Sequence, residues 1–264
     1  MMKLIFLGSG SAFTVGDGNF QSNMILVNEQ GNKLLIDCGS DIRFSLYAAG
    51  FSHLDITDIY ISHLHADHAG GLEYIGFSTK FDPRCQKPNL YLNKELVNEL
   101  WHGTLSGGMS SIEGKIADIN TYFKVRLTEE KGYFTWMDIN FNLVKVIHVD
   151  NGNFIIPSYG LFFEIQGIKV FLTTDHKFCS NAIAEFYEQA DIIFQDCETS
   201  PFQTKVHAHY KELLNLPEKI KNKMWLYHYQ PGRLPDAKKD GFCGFVQRGQ
   251  TFEFSDIFVT SDQT

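Results

Sequence analysis

Ser62-His63-Leu64-His65-Ala66-Asp67-His68-Ala69-Gly70-Gly71 follows directly on the apolar run Asp58-Ile59-Tyr60-Ile61. Three imidazoles and a carboxylate in six positions form a metal-ligating pattern. The run from Ile56 to Ile61 reads as a buried strand that delivers its C-terminal end to His63. The ligands therefore fall on a strand-to-helix turn, where His63 and His65 can point to one side and Asp67 and His68 to the other. Two adjacent cations suit that division better than one. Imidazoles combined with a carboxylate favour zinc, iron or manganese over calcium or magnesium. The competing reading is a polar loop that is rich in histidine by chance. It requires three of the ten histidines in 264 residues to fall in six positions.

Four more segments place a polar residue at the end of an apolar run. Asp37 ends Lys33-Leu34-Leu35-Ile36 and precedes Cys38-Gly39, and His148 lies near the end of Phe141 to Val149. Asp175 ends Val170-Phe171-Leu172-Thr173-Thr174, and His228 follows Met224-Trp225-Leu226-Tyr227. Each alone is an ordinary polar residue at a strand end. Together with His63-x-His65-x-Asp67-His68 and Gly70-Gly71, their order resembles the signature of the metallo-β-lactamase superfamily. The opening strand, the Gly8-Ser9-Gly10-Ser11 turn and Asn19-Phe20-Gln21-Ser22-Asn23 are similar to the branch that contains tRNase Z and related phosphodiesterases.

The resemblance implies that His63, His65 and His148 hold one divalent metal, that Asp67, His68 and His228 hold a second, and that Asp175 bridges them. Zinc is the expected metal, with manganese and iron as alternatives. Two cations roughly 3.5–4 Å apart polarise a phosphoryl oxygen and hold a bridging hydroxide, because coordination lowers the pKa of water from about 15.7 toward about 7. Asp67 is then both ligand and orienter of that hydroxide, and Asp37 is placed to hydrogen-bond a ligand histidine from behind. The tRNase Z branch also ends a strand on a short acidic motif and uses a later histidine to assist the leaving group. Asp196 and His209 are the matches taken here, with His207 as the competitor. The alternative for the His207-Ala208-His209 pair is a helix cap ahead of Tyr210-Lys211-Glu212-Leu213-Leu214.

The rest of the pattern predicts an α/β chain. Strands are expected near 2–7, 22–28, 32–37, 56–61 and 89–92, with helices from Ala69 and over 93–101, the latter capped by Asn93. Further strands fall near 121–127, 141–149, 159–165, 168–174, 191–195 and 224–228, with a helix over 180–189. Two similar β-rich halves with outer helices give a four-layered αββα sandwich, read as one domain over 1–264. Residues 102–114, with Gly103, Gly107, Gly108 and Gly114, are expected to form a mobile loop that borders the site. His102 is a candidate substrate contact there. Residues 234–264, with the strand-like Thr251 to Val259, read as a closing segment or a homodimer contact.

A formal net charge of −8 and a pI near 5.7 argue against stable binding of duplex nucleic acid, which is normally held by a basic surface. No apolar run reaches the 18 or more residues that a membrane helix needs. The five cysteines Cys38, Cys85, Cys179, Cys197 and Cys243 are odd in number and form no Cys-x-x-Cys, which suits reduced thiols in a cytoplasm. The apolar run Leu4-Ile5-Phe6-Leu7 is too short for a secretory core of roughly 7–15 residues.

Only 26 residues separate His148 from Asp175, too few for the long arm with which tRNase Z grips tRNA. The expected substrate is therefore a smaller phosphodiester: a cyclic nucleotide, a cyclic phosphate or a nucleotide-like diester. Tyr227, Tyr229, Gln230 and Arg233 are candidate contacts for its anionic group, Arg233 being suited to bidentate phosphate binding. Other readings are a thioesterase or lactonase acting on a carbonyl, a diiron redox or oxygen-sensing protein, and a non-catalytic relative. The diiron pattern usually carries glutamate where His65 stands, and a non-catalytic relative would be expected to have lost ligands.

Overall fold

The computed structural model describes residues 2–16, 18–129 and 132–254. The chain opens with an antiparallel meander of β1 (Lys3–Phe6), β2 (Met24–Val27) and β3 (Lys33–Ile36). It then turns parallel. α1 (Ile42–Ala48) carries it over to β4 (Asp58–Ile61), and α2 (Ala66–Ala69) with α3 (Leu72–Phe81) carries it to β5 (Asn89–Asn93). Parallel neighbours need such crossovers because a tight hairpin reverses direction. β2 and β4 are buried along their whole length, consistent with uninterrupted apolar runs covered on both faces.

Residues 97–122 hold short elements: α4 (Val97–Glu99), a π-helical turn over Leu100–Leu105, α5 (Ser106–Met109), a hairpin of β6 (Ser111–Ile112) and β7 (Lys115–Ile116), and α6 (Ile119–Tyr122). The segment 102–114, expected as a loop, thus holds short helical and hairpin elements. Leu105 and Met109 are buried, and Tyr122 donates its hydroxyl to the Met109 carbonyl at 2.7 Å. The apolar anchors outweigh the glycines. The expected helix over 93–101 starts later, because Asn93 ends β5, donates its side-chain amide to Glu129 O and accepts from Glu95 N. β8 (Lys124–Thr128) then joins β5 in parallel.

The second half repeats this plan. β9 (Tyr133–Trp136), β10 (Ile139–Asp150), β11 (Ile155–Ile165) and β12 (Ile168–Leu172) are antiparallel. α7 (Ser180–Gln189) crosses to β13 (Ile192–Asp196), and α8 (Tyr210–Leu213) with α9 (Glu218–Lys221) leads to β14 (Met224–Tyr227) and β15 (Gly244–Phe245), all parallel to β12. β16 (Thr251–Glu253) returns to pair with β1. The strand expected over 251–259 is thus present at its start, and 255–259 lie outside the described residues.

Two seven-stranded sheets result, ordered β16-β1-β2-β3-β4-β5-β8 and β15-β14-β13-β12-β11-β10-β9. Their inner faces meet through aromatic rings, with Phe6 5.2 Å from Phe194 and Tyr60 5.3 Å from Phe134 between centroids. A second apolar cluster lies under α7, α8 and α9, from Val144, Ile183 and Tyr187 to Leu213, Ile220 and Met224. The layered α/β sandwich of the metallo-β-lactamase fold is therefore present. Its consequence for function is positional, because the carboxyl ends of β3, β4, β12, β13 and β14 gather at one end of the molecule.

Candidate metal centre

Every expected ligand is supplied from that end. His63 follows β4 and is fully buried, His65 occupies the N-cap of α2, and Asp67 and His68 lie within α2, also buried. His148 lies where the β10–β11 register shifts between Ile147 and Val149, a bulge of the kind that re-aims a side chain. Asp175 follows β12 and His228 follows β14. Asp37, Thr174 and His228 have left-handed φ values of 61°, 55° and 63°. For the β-branched Thr174 this is a costly conformation, and such conformations cluster where function demands them. Gly39 and Gly71 let the backbones close in. A Cβ on Gly39 would lie 2.2 Å from Asp67 O, and one on Gly71 would lie 2.3 Å from Gly39 O.

The donor atoms converge in two sets. His63, His65 and His148 place one ring nitrogen each within 4.8 Å of the others, and Asp67, His68, Asp175 and His228 do the same with one carboxylate oxygen or ring nitrogen each. In the first set, His65 Nδ1 lies 3.2 Å from His63 Nε2 and 2.9 Å from His148 Nε2. His148 donates Nδ1–H to Val206 O at 2.8 Å. Ser62 donates Oγ–H to Asp37, so its oxygen accepts from His63 Nδ1. Both rings therefore turn the lone pair of Nε2 toward the same point. His65 Nδ1 faces the same point, so a cation there would satisfy all three nitrogens.

In the second set, His68 donates Nδ1–H to Asp37 Oδ2 at 2.8 Å and turns Nε2 toward Asp67 Oδ2 at 3.1 Å and Asp175 Oδ2 at 3.2 Å. His228 Nε2 lies 3.1 Å from the same Asp67 oxygen and 3.3 Å from the same Asp175 oxygen. His68 Nε2 and Asp175 Oδ1 are buried without hydrogen-bond partners, a cost that a bound ion removes. Oxygen and nitrogen donors in this arrangement fit divalent metal ions of the zinc, manganese and iron class.

The electrostatics divide in the same way. Burial pushes the His148 imidazole down to about 4 and holds His63 well below its usual range, with the charge of His68 adding to the effect on His63. Burial opposes charge on His228 and His68 as well, but the Asp175 carboxylate overrides it, raising His228 to about 10 and His68 far above the imidazole range. Burial would raise Asp67, yet the charge of His68 and the hydrogen bond from His228 hold it far below the carboxylate range. Without metal, protons on His68 and His228 neutralise the two aspartates.

Asp196 ends β13 and is fully buried. Its partner is His207, whose Nδ1 lies 3.1 Å from Asp196 Oδ2 and 3.7 Å from Asp175 Oδ2. The His207 ring packs 5.0 Å from His148 and 4.8 Å from His228 between centroids. His209, the residue taken from sequence, lies elsewhere. It caps α8 by accepting from Lys211 N on Nδ1, and Nε2 donates to Ser200 O at 3.0 Å. Both ring nitrogens are occupied, and the structure places His207, not His209, beside Asp196 and the ligand cluster. The capping box that His209 forms with Glu212 was the signal available in His209-x-x-Glu212.

The expected phosphate contacts are mostly structural. Tyr227 is buried against Phe6. Tyr229 donates to Val246 O and pairs with Ser9, and Gln230 ties down Thr199. Arg233 is exposed, and His102 is exposed within the π-helical turn.

A family profile described as Anti-Pycsar protein Apyc1 matches residues 2–252. The chain belongs to that family. A relative from Paenibacillus harenae, named Anti-Pycsar protein Apyc1, is 33% identical over 232 residues, covering 86% of this chain and 90% of its own. Among solved structures, the metallo-β-lactamase fold protein YhfI from Bacillus subtilis superposes with a TM-score of 0.73 at 17% identity, covering 95% of this chain and 98% of that one. Human tRNase Z, short form, superposes with a TM-score of 0.68 at 16% identity, covering 95% and 98%. The fold is that of the metallo-β-lactamase fold proteins, and the buried His/Asp cluster could hold metal ions. No helix among the described residues is long and apolar enough to cross a membrane.

Proposed function

We propose that the protein is a dinuclear phosphodiesterase for small nucleotide-like diesters, cyclic nucleotides first among them. The observation that carries this reading is the pairing of two adjacent ligand sets with a buried Asp196–His207 couple beside them. Two divalent cations, zinc in this reading, would lower the pKa of a shared water and polarise the phosphoryl oxygen. His63, His65 and His148 would hold one ion, Asp67, His68 and His228 the other, and Asp175 both. Asp37 fixes the orientation of His68, and Asp196 fixes the ring of His207.

His207 is the group that would protonate the departing alkoxide. Burial disfavours its charged form, but the Asp196 and Asp175 carboxylates outweigh burial and raise its pKa. Held at 3.1 Å from Asp196, it is placed to give a proton. A ribose alkoxide needs that proton and a p-nitrophenolate does not. The short chain between His148 and Asp175 forms only the β10–β11 hairpin, β11 and β12, and supplies no long arm for a folded RNA. Together with the formal net charge of −8, this supports a small substrate. The same features suit a cytoplasmic enzyme.

Bis(p-nitrophenyl) phosphate and p-nitrophenyl acetate, offered to metal-stripped protein reloaded separately with zinc, manganese or iron(II), test the reaction class. Metal-dependent cleavage of the diester with little ester cleavage is expected. Ester cleavage alone would move the assignment to carbonyl chemistry.

A further inference from the structure

A second constellation of metal-binding side chains lies at the opposite end of the first sheet. His53 belongs to the 3-10 turn His53–Asp55 that precedes β4, whereas His63 follows β4. α3 runs back along the sheet, so its C-cap, Asp82, returns to the His53 end. The next turn, Asp82-Pro83-Arg84-Cys85, closes with Cys85 N donating to Asp82 O at 3.0 Å. Residues i and i+3 of such a turn present both side chains to one point, as the paired ligands of C-x2-C zinc knuckles do. His53 Nε2 lies 3.0 Å from Asp82 Oδ2, and one donor atom each from His53, Asp82 and Cys85 falls within 4.8 Å of the others.

We propose that His53, Asp82 and Cys85 form a third metal site, of the zinc class, independent of the dinuclear centre. Thiolate, imidazole and carboxylate together select zinc or a similar borderline cation over magnesium, calcium or manganese, which prefer oxygen. Three protein ligands leave a fourth position for water. The ligands are preorganised. The Ser52–Asp55 capping box and the Lys33–Asp55 ion pair hold the turn that carries His53, and Arg84 N donates to Asp82 Oδ1 within the loop.

The competing cation is Arg84, which grips Asp82 through Nε at 2.9 Å and Nη2 at 2.7 Å. Its side chain is 68% exposed, and exposed ion pairs contribute little, so it can swing into water. The Cys85 thiol is raised by partial burial and by the Asp82 charge. Binding would therefore release its proton to solvent.

Cobalt(II) titrated into metal-stripped protein tests the assignment. The dinuclear centre offers only nitrogen and oxygen, so a thiolate-to-cobalt charge-transfer band in the near ultraviolet reports a site that contains cysteine. Wild type is expected to show the band and to bind one cobalt more than Cys85→Ser. His53→Ala should bind that last cobalt more weakly, with the remaining stoichiometry unchanged in both variants. Absence of the band in wild type overturns the proposal, as does its survival in Cys85→Ser.

Discussion

Asp37 Oδ2 accepts from His68 Nδ1 at 2.8 Å while Asp37 Oδ1 accepts from Ser62 N at 2.8 Å. One carboxylate thus ties the turn after β4 to a ligand of α2 and fixes which nitrogen of His68 faces the metals. Carboxylates behind ligand histidines hold the tautomer and the ring orientation. Asp37→Asn should lower metal affinity about 10- to 100-fold while leaving the secondary structure intact. Competition with a chromophoric chelator measures this, and unchanged affinity would remove Asp37 from the account.

His207 and His209 should separate cleanly. His207→Ala should slow hydrolysis of a nucleotide diester by about 100- to 10,000-fold and that of a p-nitrophenyl diester much less. His209→Ala should cost about 1 kcal/mol of stability through the lost cap, with no dependence on the leaving group. Rates on the two substrates and denaturant midpoints distinguish these outcomes.

Asp175 approaches His68, His228, His63 and His148 through one oxygen. Asp175→Ala should therefore impair both ligand sets together. Metal analysis after dialysis is expected to find less than one ion in the centre. Retention of both ions with full turnover would contradict a bridging role.

The metal-free centre stores protons on His68 and His228, because the Asp175 charge raises both. Metal must displace those protons, so loading at neutral pH should release protons and tighten as pH rises toward about 10, where His228 loses its own. Calorimetry in buffers of differing ionisation enthalpy counts the protons. Loading without proton release would contradict the charge assignment.

The strand ends were legible because parallel strands between two covering layers read as unbroken apolar runs, and those of β4, β12 and β14 lead into His63, Asp175 and His228. The ligand set Asp67, His68, Asp175 and His228 was what the resemblance carried by that order implied. The bulge that aims His148 was not legible, since its local sequence does not differ from the rest of β10. The choice between His207 and His209 turned on which residue caps α8, a matter of backbone geometry. The 102–114 segment misled through its glycines, because Gly108 packs against Glu73 and Gly76 against Met109, contacts between residues distant in sequence. The Asp82–Cys85 turn needed His53, from 29 residues earlier, before it had any meaning.

The most direct test is hydrolysis of a 3′,5′-cyclic nucleotide by metal-stripped protein reloaded with zinc or manganese, followed by phosphorus NMR. The account predicts metal-dependent appearance of the linear nucleoside monophosphate, abolished in Asp67→Ala. A centre holding two ions per chain that leaves cyclic nucleotides and other small diesters intact would contradict it.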